Sequence, residues 1–301
     1  MDRVPVTFCR DVTDSLSFFC NVTANRLSGT WNMAGSLYAS NVKLLCATIG
    51  KHRGEWFYRF DDNGVTLEEL LKLPRRCVVF HVVYVCCSPV RGMRRCSKKY
   101  IEERLVPFIC VRTRVSTGLF VVIRNDVTLA VMKMFRAPYT FGRLSVSYCG
   151  PGSEEFLLSH LENNDHIRKL EFYNAWPHRT VLEEQLVKHL RYGIIEILTL
   201  HPIVIDDKFN FRVTFAMLKA LFDVWASSEN SRNLCLSGSG GRPTGVTVQD
   251  IISMPVPTNV ERTLEDLITT YRVLWTKQNG CTLHFEIFCV TNQVTITSRK
   301  P

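Results

Sequence analysis

Alternating hydrophobic and polar residues predict β-structure in the first third of the chain. Lys43 to Ile49 and Glu55 to Phe60 are predicted strands, and the glycines of the link 50–54 make them a β-hairpin. Thr66-Leu67-Glu68-Glu69 fits a capping box at the start of a short helix. Val78 to Val85 is apolar almost throughout, which is typical of a buried strand.

Strand-like and helix-like segments then alternate at a regular spacing. The helix-start candidates Asp126, Ser153 and Thr180 lie 27 residues apart, and Thr180 opens a second capping box. The strand-like positions have spacings of 24, 26 and 25 residues: Val122, Val146, Phe172 and Ile197. Such a period is typical of an α/β solenoid, in which each unit buries its apolar face on the next. An ordinary α/β layer fold with units of similar length is the alternative.

The two ends of the chain complete the predicted architecture. A helix from Val4 to about Phe18 places Val6, Cys9 and Val12 on one face. Thr263 to Leu274 is predicted helical, and the alternation from Leu283 to Thr297 predicts a terminal β-hairpin. We therefore predict an α/β fold: a short helical N-terminal motif, a β-hairpin, strand–helix repeats that form a leucine-rich-repeat-like solenoid, and a C-terminal β-hairpin.

Two domains follow from this pattern, a helical segment over 1–42 and an α/β repeat-like domain over 43–301. The second domain contains a basic insertion at about 88–104. It also contains a glycine- and serine-rich stretch, predicted to be a flexible loop at about 227–245.

The composition indicates a globular protein that resides in a reducing compartment. Of the 301 residues, 46% are hydrophobic, yet no apolar run approaches the roughly 18 residues of a membrane span. The N-terminus lacks the continuous apolar core of a secretory signal. The twelve cysteines include no Cys-x-x-Cys pair and are expected to be free thiols. These features predict a cytoplasmic or nuclear protein that does not associate with membranes.

The positive charge is concentrated in one part of the chain. Between Arg75 and Arg114 there are ten basic and two acidic residues, which accounts for eight of the nine net positive charges. The centre of this patch consists of Arg91, Arg94, Arg95, Lys98 and Lys99. These side chains are candidates for phosphate contacts in a nucleic-acid-binding protein. A nuclear import signal, a site for an acidic protein partner and a solvated helix face are the alternatives.

Signatures of catalysis and of metal or cofactor binding are missing from the sequence. There is no nucleophile elbow, His-Glu-x-x-His motif or complete phosphate-binding loop. The group His81, Cys86, Cys87 and Cys96 lacks the paired spacing of a structural zinc site. A catalytic Cys–His pair is not excluded, because the spacing of the twelve cysteines and eight histidines favours no particular pair. We predict a protein without catalytic residues, metal or cofactor.

Several stretches resemble a nematode-expanded family related to F-box and F-box-associated proteins. They cover about the first two thirds of the chain, and the matching residues are Val4-Pro5-Val6-Thr7-Phe8-Cys9, Trp31, Ala34, Tyr38, Asn41, Ile49-Gly50, Glu55-Trp56-Phe57-Tyr58-Arg59-Phe60, Tyr148, Gly150, Ser153-Glu154-Glu155-Phe156-Leu157, Leu170 and Trp176-Pro177. In F-box proteins an N-terminal helical motif beginning Leu-Pro docks on the adaptor of a cullin-type ubiquitin ligase, and the C-terminal region selects the substrate. Here Val4 stands in the place of the leucine.

The resemblance implies a non-enzymatic interaction protein that selects substrates for a ubiquitin ligase. The segment 1–42 would then be a degenerate F-box-like motif that contacts the adaptor through an exposed apolar face. That face would consist of Val4, Pro5, Val6, Cys9, Val12 and Trp31. Trp176, between a strand and a helix, is either a packed turn residue or a further anchor for a partner.

Overall fold

The computed structural model describes most of the chain. The described residues are Pro5, Phe8, Cys9, Val12 and the ranges 29–62, 64–89, 91–123, 126–136, 138–201, 211–229, 233–239 and 246–300. They form an α/β protein with both parallel and antiparallel strands. The contacts divide the chain into two compact units, Met1–Arg143 and Leu144–Pro301.

The first unit contains the predicted β-hairpin, which is confirmed. After α1 (Thr30–Asn41), β1 (Lys43–His52) pairs antiparallel with β2 (Glu55–Phe60). Arg53 and Gly54 connect the strands with φ values of 50° and 86°. Two successive positive φ angles give a turn whose twist matches that of the paired strands.

Three further strands complete the sheet of the first unit. β3 (Val78–Cys86) runs parallel to β1, β4 (Arg94–Cys96) pairs antiparallel with β2, and β5 (Gly118–Val121) runs parallel to β3. The strand order is β5-β3-β1-β2-β4. Phe80 of β3 lies at the centre of the core, with ring centroids 5.9 Å from those of Phe60 and Phe108.

The helices of the first unit connect these strands. α2 (Leu67–Leu71) begins at the predicted capping box, which is confirmed. The Glu69 N–H donates to the Thr66 hydroxyl at 3.0 Å, and the Thr66 N–H donates to the Glu69 carboxylate at 2.7 Å. The later helices are α3 (Lys98–Tyr100), a π-helical turn at Ile101–Leu105, α4 (Val106–Cys110) and α5 (Asp126–Met134).

The second unit begins with strands that alternate with helices. These elements are β6 (Arg143–Ser147), α6 (Pro151–Asn163), β7 (Lys169–Tyr173), α7 (Thr180–Arg191), β8 (Ile197–Leu200), α8 (Phe215–Ser227) and β9 (Cys235–Ser239). The strands are neighbours in chain order, and β7, β8 and β9 are parallel. Because crossovers between parallel strands are right-handed, this order places the connecting helices on one face of the sheet.

An antiparallel meander completes the second unit. After α9 (Val248–Ser253) come β10 (Val260–Leu267), β11 (Thr270–Lys277), β12 (Thr282–Phe288) and β13 (Gln293–Arg299). β12 and β13 form the predicted terminal hairpin, which is confirmed. Since β13 pairs with β9, the strand order runs β6-β7-β8-β9-β13-β12-β11-β10.

Three local predictions are wrong in the second unit. Thr263–Leu274 is not a helix but contains most of β10 and β11. The predicted flexible loop at 227–245 contains β9, which pairs with both β8 and β13; residues 230–232 and 240–245 of that loop lie outside the described residues. α7 begins at Thr180 as predicted, but its N-cap position is Arg179 and no side chain caps it.

The sheet of the second unit has a covered apolar face and an open polar face. One row across seven strands of the ladder is apolar: Leu170, Leu198, Leu236, Ile296, Phe285, Val273 and Leu264. The next row is polar: Glu171, Thr199, Ser237, Thr295, Glu286, Arg272 and Glu265. Adjacent residues of a strand point to opposite faces, so the first row lies on the face that the helices cover, with Leu264 exposed at its end, and the second row points away from them.

Lys277 joins the meander to the C-terminal end of α8. Its ammonium donates to the carbonyls of Trp225 and Ser228, the latter at 2.6 Å, and lies 4.8 Å from the centre of the Trp225 ring. Burial lowers the pKa of this lysine. A cation at a helix C-terminus is favourable, because the last carbonyls of a helix have no partner within it.

Lys277→Met is expected to lower the free energy of unfolding by about 1–3 kcal/mol, because it removes the donor to the Ser228 carbonyl and one of the two donors to the Trp225 carbonyl. Urea denaturation followed by circular dichroism measures this loss. Lys219→Met on α8 is the matched control, since Lys219 only pairs with Asp223 at the surface, where such a pair contributes about 0.3–0.5 kcal/mol. Equal losses in the two variants would show that Lys277 does not anchor α8.

Candidate interaction surface

The N-terminal candidate residues lie in a short helical segment of the first unit. The Cys9 N–H donates to the Pro5 carbonyl at 3.1 Å, the hydrogen bond of a helical turn that begins with proline. Pro5 and Phe8 are exposed, Val12 is half-buried, and Cys9 is fully buried. Val4 and Val6 lie outside the described residues. The predicted contact role of Cys9 is therefore wrong, since its side chain packs inside the unit.

Trp31 of α1 supports this segment. Its ring is half-buried, and the ring of Phe8 meets it edge-on with centroids 6.3 Å apart. Phe8 is 53% exposed, although edge-to-face aromatic pairs normally form inside a protein core. Of this pair, Phe8 offers the larger free apolar area. Phe8 was not among the predicted contact residues, because the spacing of the apolar residues gave it no place on the predicted helical face.

α1 itself is oriented with large apolar residues outward. Ala34 and Gly35 are buried, whereas Met33 and Leu37, one helical turn apart, are each 48% exposed. Residues four apart share one face of a helix. A helix that buries small residues and exposes large apolar ones has a face suited to a second protein. Met33 and Leu37 are called the outer pair of α1 below.

Trp176 of the second unit is a packed residue and not an anchor for a partner. It is 2% exposed, and its ring lies 4.9 Å from that of Phe172 and 5.4 Å from that of Tyr148. Its indole N–H donates to the Tyr173 carbonyl at 3.0 Å. The prediction of a partner-facing Trp176 is therefore wrong, because both its apolar surface and its donor are used within the unit.

The predicted phosphate-binding residues surround β4 and α3, and most of them have partners. Arg95 pairs with Glu55, and Arg94 donates to the Gly64 carbonyl at 2.6 Å. Lys98 and Lys99 pair with Glu102 and Glu103 at 3.1 and 3.9 Å, one helical turn away. Within the described part of the chain, Arg91 has no ion pair. Three of the five cations of the patch are therefore paired with carboxylates of the same unit, whereas the charges of Arg91 and Arg94 have no carboxylate partner among the described residues.

Tyr100, the aromatic residue of the basic patch, is held within the first unit. Its hydroxyl donates to Glu68 at 3.0 Å and lies 3.2 Å from the Tyr58 hydroxyl, and the two rings are 5.5 Å apart. Burial, together with the hydrogen bonds to Tyr58 and Glu68, raises the pKa of Tyr100. Its ring face is therefore occupied by Tyr58, which disfavours stacking on a nucleobase.

The thiols with shifted pKa values are poor nucleophiles. Burial raises the pKa of Cys46 and of Cys96 to about 11, and it also raises the pKa of Cys110. A thiol of this pKa is protonated at neutral pH, whereas a nucleophilic cysteine needs the thiolate. Among the residues described, no three His, Cys, Asp or Glu side chains form a group that could hold a metal ion. Nor does any described helix have the length and apolar character needed to cross a membrane.

The meander of the second unit carries a further apolar surface that sequence analysis missed. Ile268, between β10 and β11, and Val290, between β12 and β13, are the most exposed large apolar residues of the described chain. Recognition of a β10–β11 hairpin would have revealed it, because Ile268 then falls at the tip of a turn. No family model, curated protein or solved structure matches this chain, so these surfaces rest on its own geometry.

Proposed function

We propose that this chain is a non-enzymatic protein-interaction module, and that it acts as a substrate-recognition subunit of a cullin-type ubiquitin ligase. The observation that carries the proposal is the outer pair of α1, two large apolar side chains exposed on one helical face. The exposed Phe8 lies on the N-terminal segment that the F-box resemblance assigns to adaptor docking. Apolar residues at helical spacing are suited to a groove or helix face of a partner.

The substrate-binding half of this proposal belongs to the second unit. We propose that its strand–helix array works as a leucine-rich-repeat-like solenoid whose open sheet face forms the recognition platform. Three features support this: the strands follow chain order, the helices share one face, and the polar row from Glu171 to Glu265 points away from them. Arg272 in this row is held by Glu265 at 3.1 Å and Glu286 at 2.8 Å.

The docking half is tested by charge substitution on α1. Leu37→Glu and Met33→Glu are expected to weaken adaptor binding by at least about tenfold each, because a buried leucine-sized side chain contributes about 1.5–3 kcal/mol. The measurement is the dissociation constant for the purified ligase adaptor and the intact chain, by calorimetry or interferometry.

Leu71→Glu provides the matched control for these variants. Leu71 is also an apolar helical residue of the first unit and is 46% exposed, but it lies on α2. The Leu71→Glu variant should have a dissociation constant for the adaptor within about twofold of that of the wild type. If the wild-type chain does not bind the adaptor, or if all three variants lose binding equally, the ligase proposal is overturned.

Nucleic-acid binding through Arg91, Arg94, Arg95, Lys98 and Lys99 is the weaker proposal. The internal pairing with Glu55, Glu102 and Glu103 opposes it, since phosphates would have to displace these carboxylates. We also propose a cytoplasmic or nuclear location, because exposed free thiols such as Cys87 and Cys289 persist in reducing compartments.

A further inference from the structure

β10 is an edge strand with little cover on either face. Among the described strands it pairs only with β11, in a register of eight residue pairs without a bulge. Every residue from Thr263 to Leu267 is exposed, although side chains of a strand alternate between two faces. A regular, uncovered edge presents backbone donors and acceptors on which a further strand can pair.

The apolar row on the covered face of the sheet ends exposed at this edge. From Leu236 through Ile296 and Phe285 to Val273 the row is buried, but Leu264 at its end is 51% exposed. An additional strand next to β10 would place a side chain beside Leu264 and continue the row. An aliphatic residue at that position would be stabilised by the same contacts that bury Val273.

The hairpin tips enlarge this apolar surface. The Cys289 N–H donates to the Thr269 carbonyl at 2.9 Å, which holds the tips of β10–β11 and β12–β13 next to each other. Ile268 is fully exposed and Val290 is 82% exposed. We call the exposed apolar residues of this region the edge patch: Leu264, Leu267, Ile268, Tyr271, Phe288 and Val290. By the register of the strands, Leu264 and Tyr271 lie on one face of the sheet and Leu267 and Phe288 on the other, next to the exposed hairpin tips. Exposed apolar residues gathered at one edge of a sheet mark an interaction site.

The charges along β10 are not balanced. Glu265 forms an ion pair with Arg272, and Arg262 donates to the carbonyls of Ile251 and Met254 at 3.3 and 2.9 Å. Glu261 and Asp266 have no ion pair with any residue that the structure describes. The edge therefore has two free carboxylates next to apolar side chains, which favours a partner with basic residues.

We propose that β10 binds an extended segment of a partner protein by adding it as a further strand. In this segment a basic residue lies two positions from an aliphatic one, as Asp266 lies from Leu264, and a second basic residue lies on the opposite face, next to Glu261. The aliphatic side chains would pack on Leu264 and the edge patch, and the basic ones would pair with Glu261 and Asp266. This segment would be a recognition element of the substrate. The inference rests on the second unit alone and does not require adaptor docking through α1.

A displayed library of random short peptides, selected on the intact chain, tests the proposal. The selected peptides are expected to carry lysine or arginine two positions from valine, isoleucine or leucine, the spacing of Asp266 and Leu264 on β10. Leu264→Lys and Asp266→Lys should each weaken their binding at least about tenfold, because a lysine on an edge strand blocks pairing and repels a basic peptide. A repeat selection on Asp266→Lys should favour acidic residues, an outcome that a merely destabilised variant would not produce.

Two variants serve as controls for this experiment. Val181→Lys, at an exposed valine of α7 in the same unit, should leave peptide binding within about twofold. Leu37→Glu should also leave it unchanged, which separates this inference from the adaptor proposal. The inference is overturned if no peptide is enriched, or if the selected peptides bind the edge variants as well as the wild type. It is also overturned if the wild type forms dimers or binds anionic vesicles through the same residues.

Discussion

Trp176→Ala is expected to lower the free energy of unfolding by about 3–5 kcal/mol, one of the largest losses available to a single substitution. The indole packs on Phe172 and Tyr148 and donates to the Tyr173 carbonyl, so its removal leaves a cavity and takes away one of the two donors to that carbonyl; the other is the Tyr148 N–H at 3.1 Å. A tryptophan that anchored a partner would be exposed in the free protein, and its loss would change binding but hardly stability. Urea denaturation followed by circular dichroism distinguishes these two roles.

Two further substitutions define the cause of this loss. Trp176→Phe keeps much of the ring volume but lacks the N–H, so it should cost less than the alanine variant. Val181→Ala removes an exposed apolar side chain from α7 and should change stability by less than about 0.5 kcal/mol. A loss below about 1 kcal/mol for Trp176→Ala would contradict the packed role.

The elements that sequence analysis predicted correctly are those whose signals are local. The β1–β2 hairpin combines strict alternation, in which Trp56, Tyr58 and Phe60 are buried, with a glycine at the turn. The capping box of α2 needs only Thr66 and Glu69, three residues apart. Neither signal depends on distant parts of the chain, so tertiary packing had little opportunity to override it.

The failure at Thr263–Leu274 shows how tertiary pairing overrides periodicity. Leu264, Leu267, Ile268 and Tyr271 have helical spacing, but in the structure all four are exposed and none forms a buried helix face. The chain instead turns at Ile268 and Thr269, because Leu267 pairs with Thr270. This turn contains neither glycine nor asparagine, the residues by which such a turn is recognised in a sequence.

Gly238 illustrates a second limit of sequence analysis. Its place in a glycine- and serine-rich stretch suggested flexibility, yet it lies in β9. A Cβ at this position would lie 2.8 Å from the Cβ of Leu200 and 3.1 Å from a methyl group of Val213. The glycine is needed here because neighbouring side chains approach its backbone closely, and composition alone does not separate this role from flexibility.

The candidate site was only partly predictable for a similar reason. The pairs Lys98–Glu102 and Lys99–Glu103 follow from helical spacing, but the pair Arg95–Glu55 joins residues far apart in the chain. The burial of Cys9 and Trp176 likewise depends on which elements pack over them. Residue type indicated the candidates, and the three-dimensional structure decided which of them are exposed.

Gly142→Ala is expected to destabilise the first unit by about 3 kcal/mol or more, because the new methyl group has no space. A Cβ on Gly142 would lie 1.5 Å from the Val115 carbonyl oxygen and 2.6 Å from its carbon. These are backbone atoms and cannot rotate away as a side chain would. The Gly142 N–H also donates to the Thr117 carbonyl at 3.1 Å, so relief of the clash would strain this hydrogen bond.

Amide hydrogen exchange measures the destabilisation caused by Gly142→Ala and shows which strands it affects. Amides of β5, which follows Thr117 directly, should exchange faster in Gly142→Ala, while those of the β1–β2 hairpin respond less. Gly54→Ala is the control: it has a positive φ of 86° but no atom within 4 Å of a new Cβ, so it should cost only about 1–2 kcal/mol. The two variants separate steric contact, which only Gly142→Ala introduces, from backbone strain at a positive φ, which Gly54→Ala introduces. If Gly142→Ala lowers the free energy of unfolding no more than Gly54→Ala does, residues 115 and 142 do not approach each other this closely.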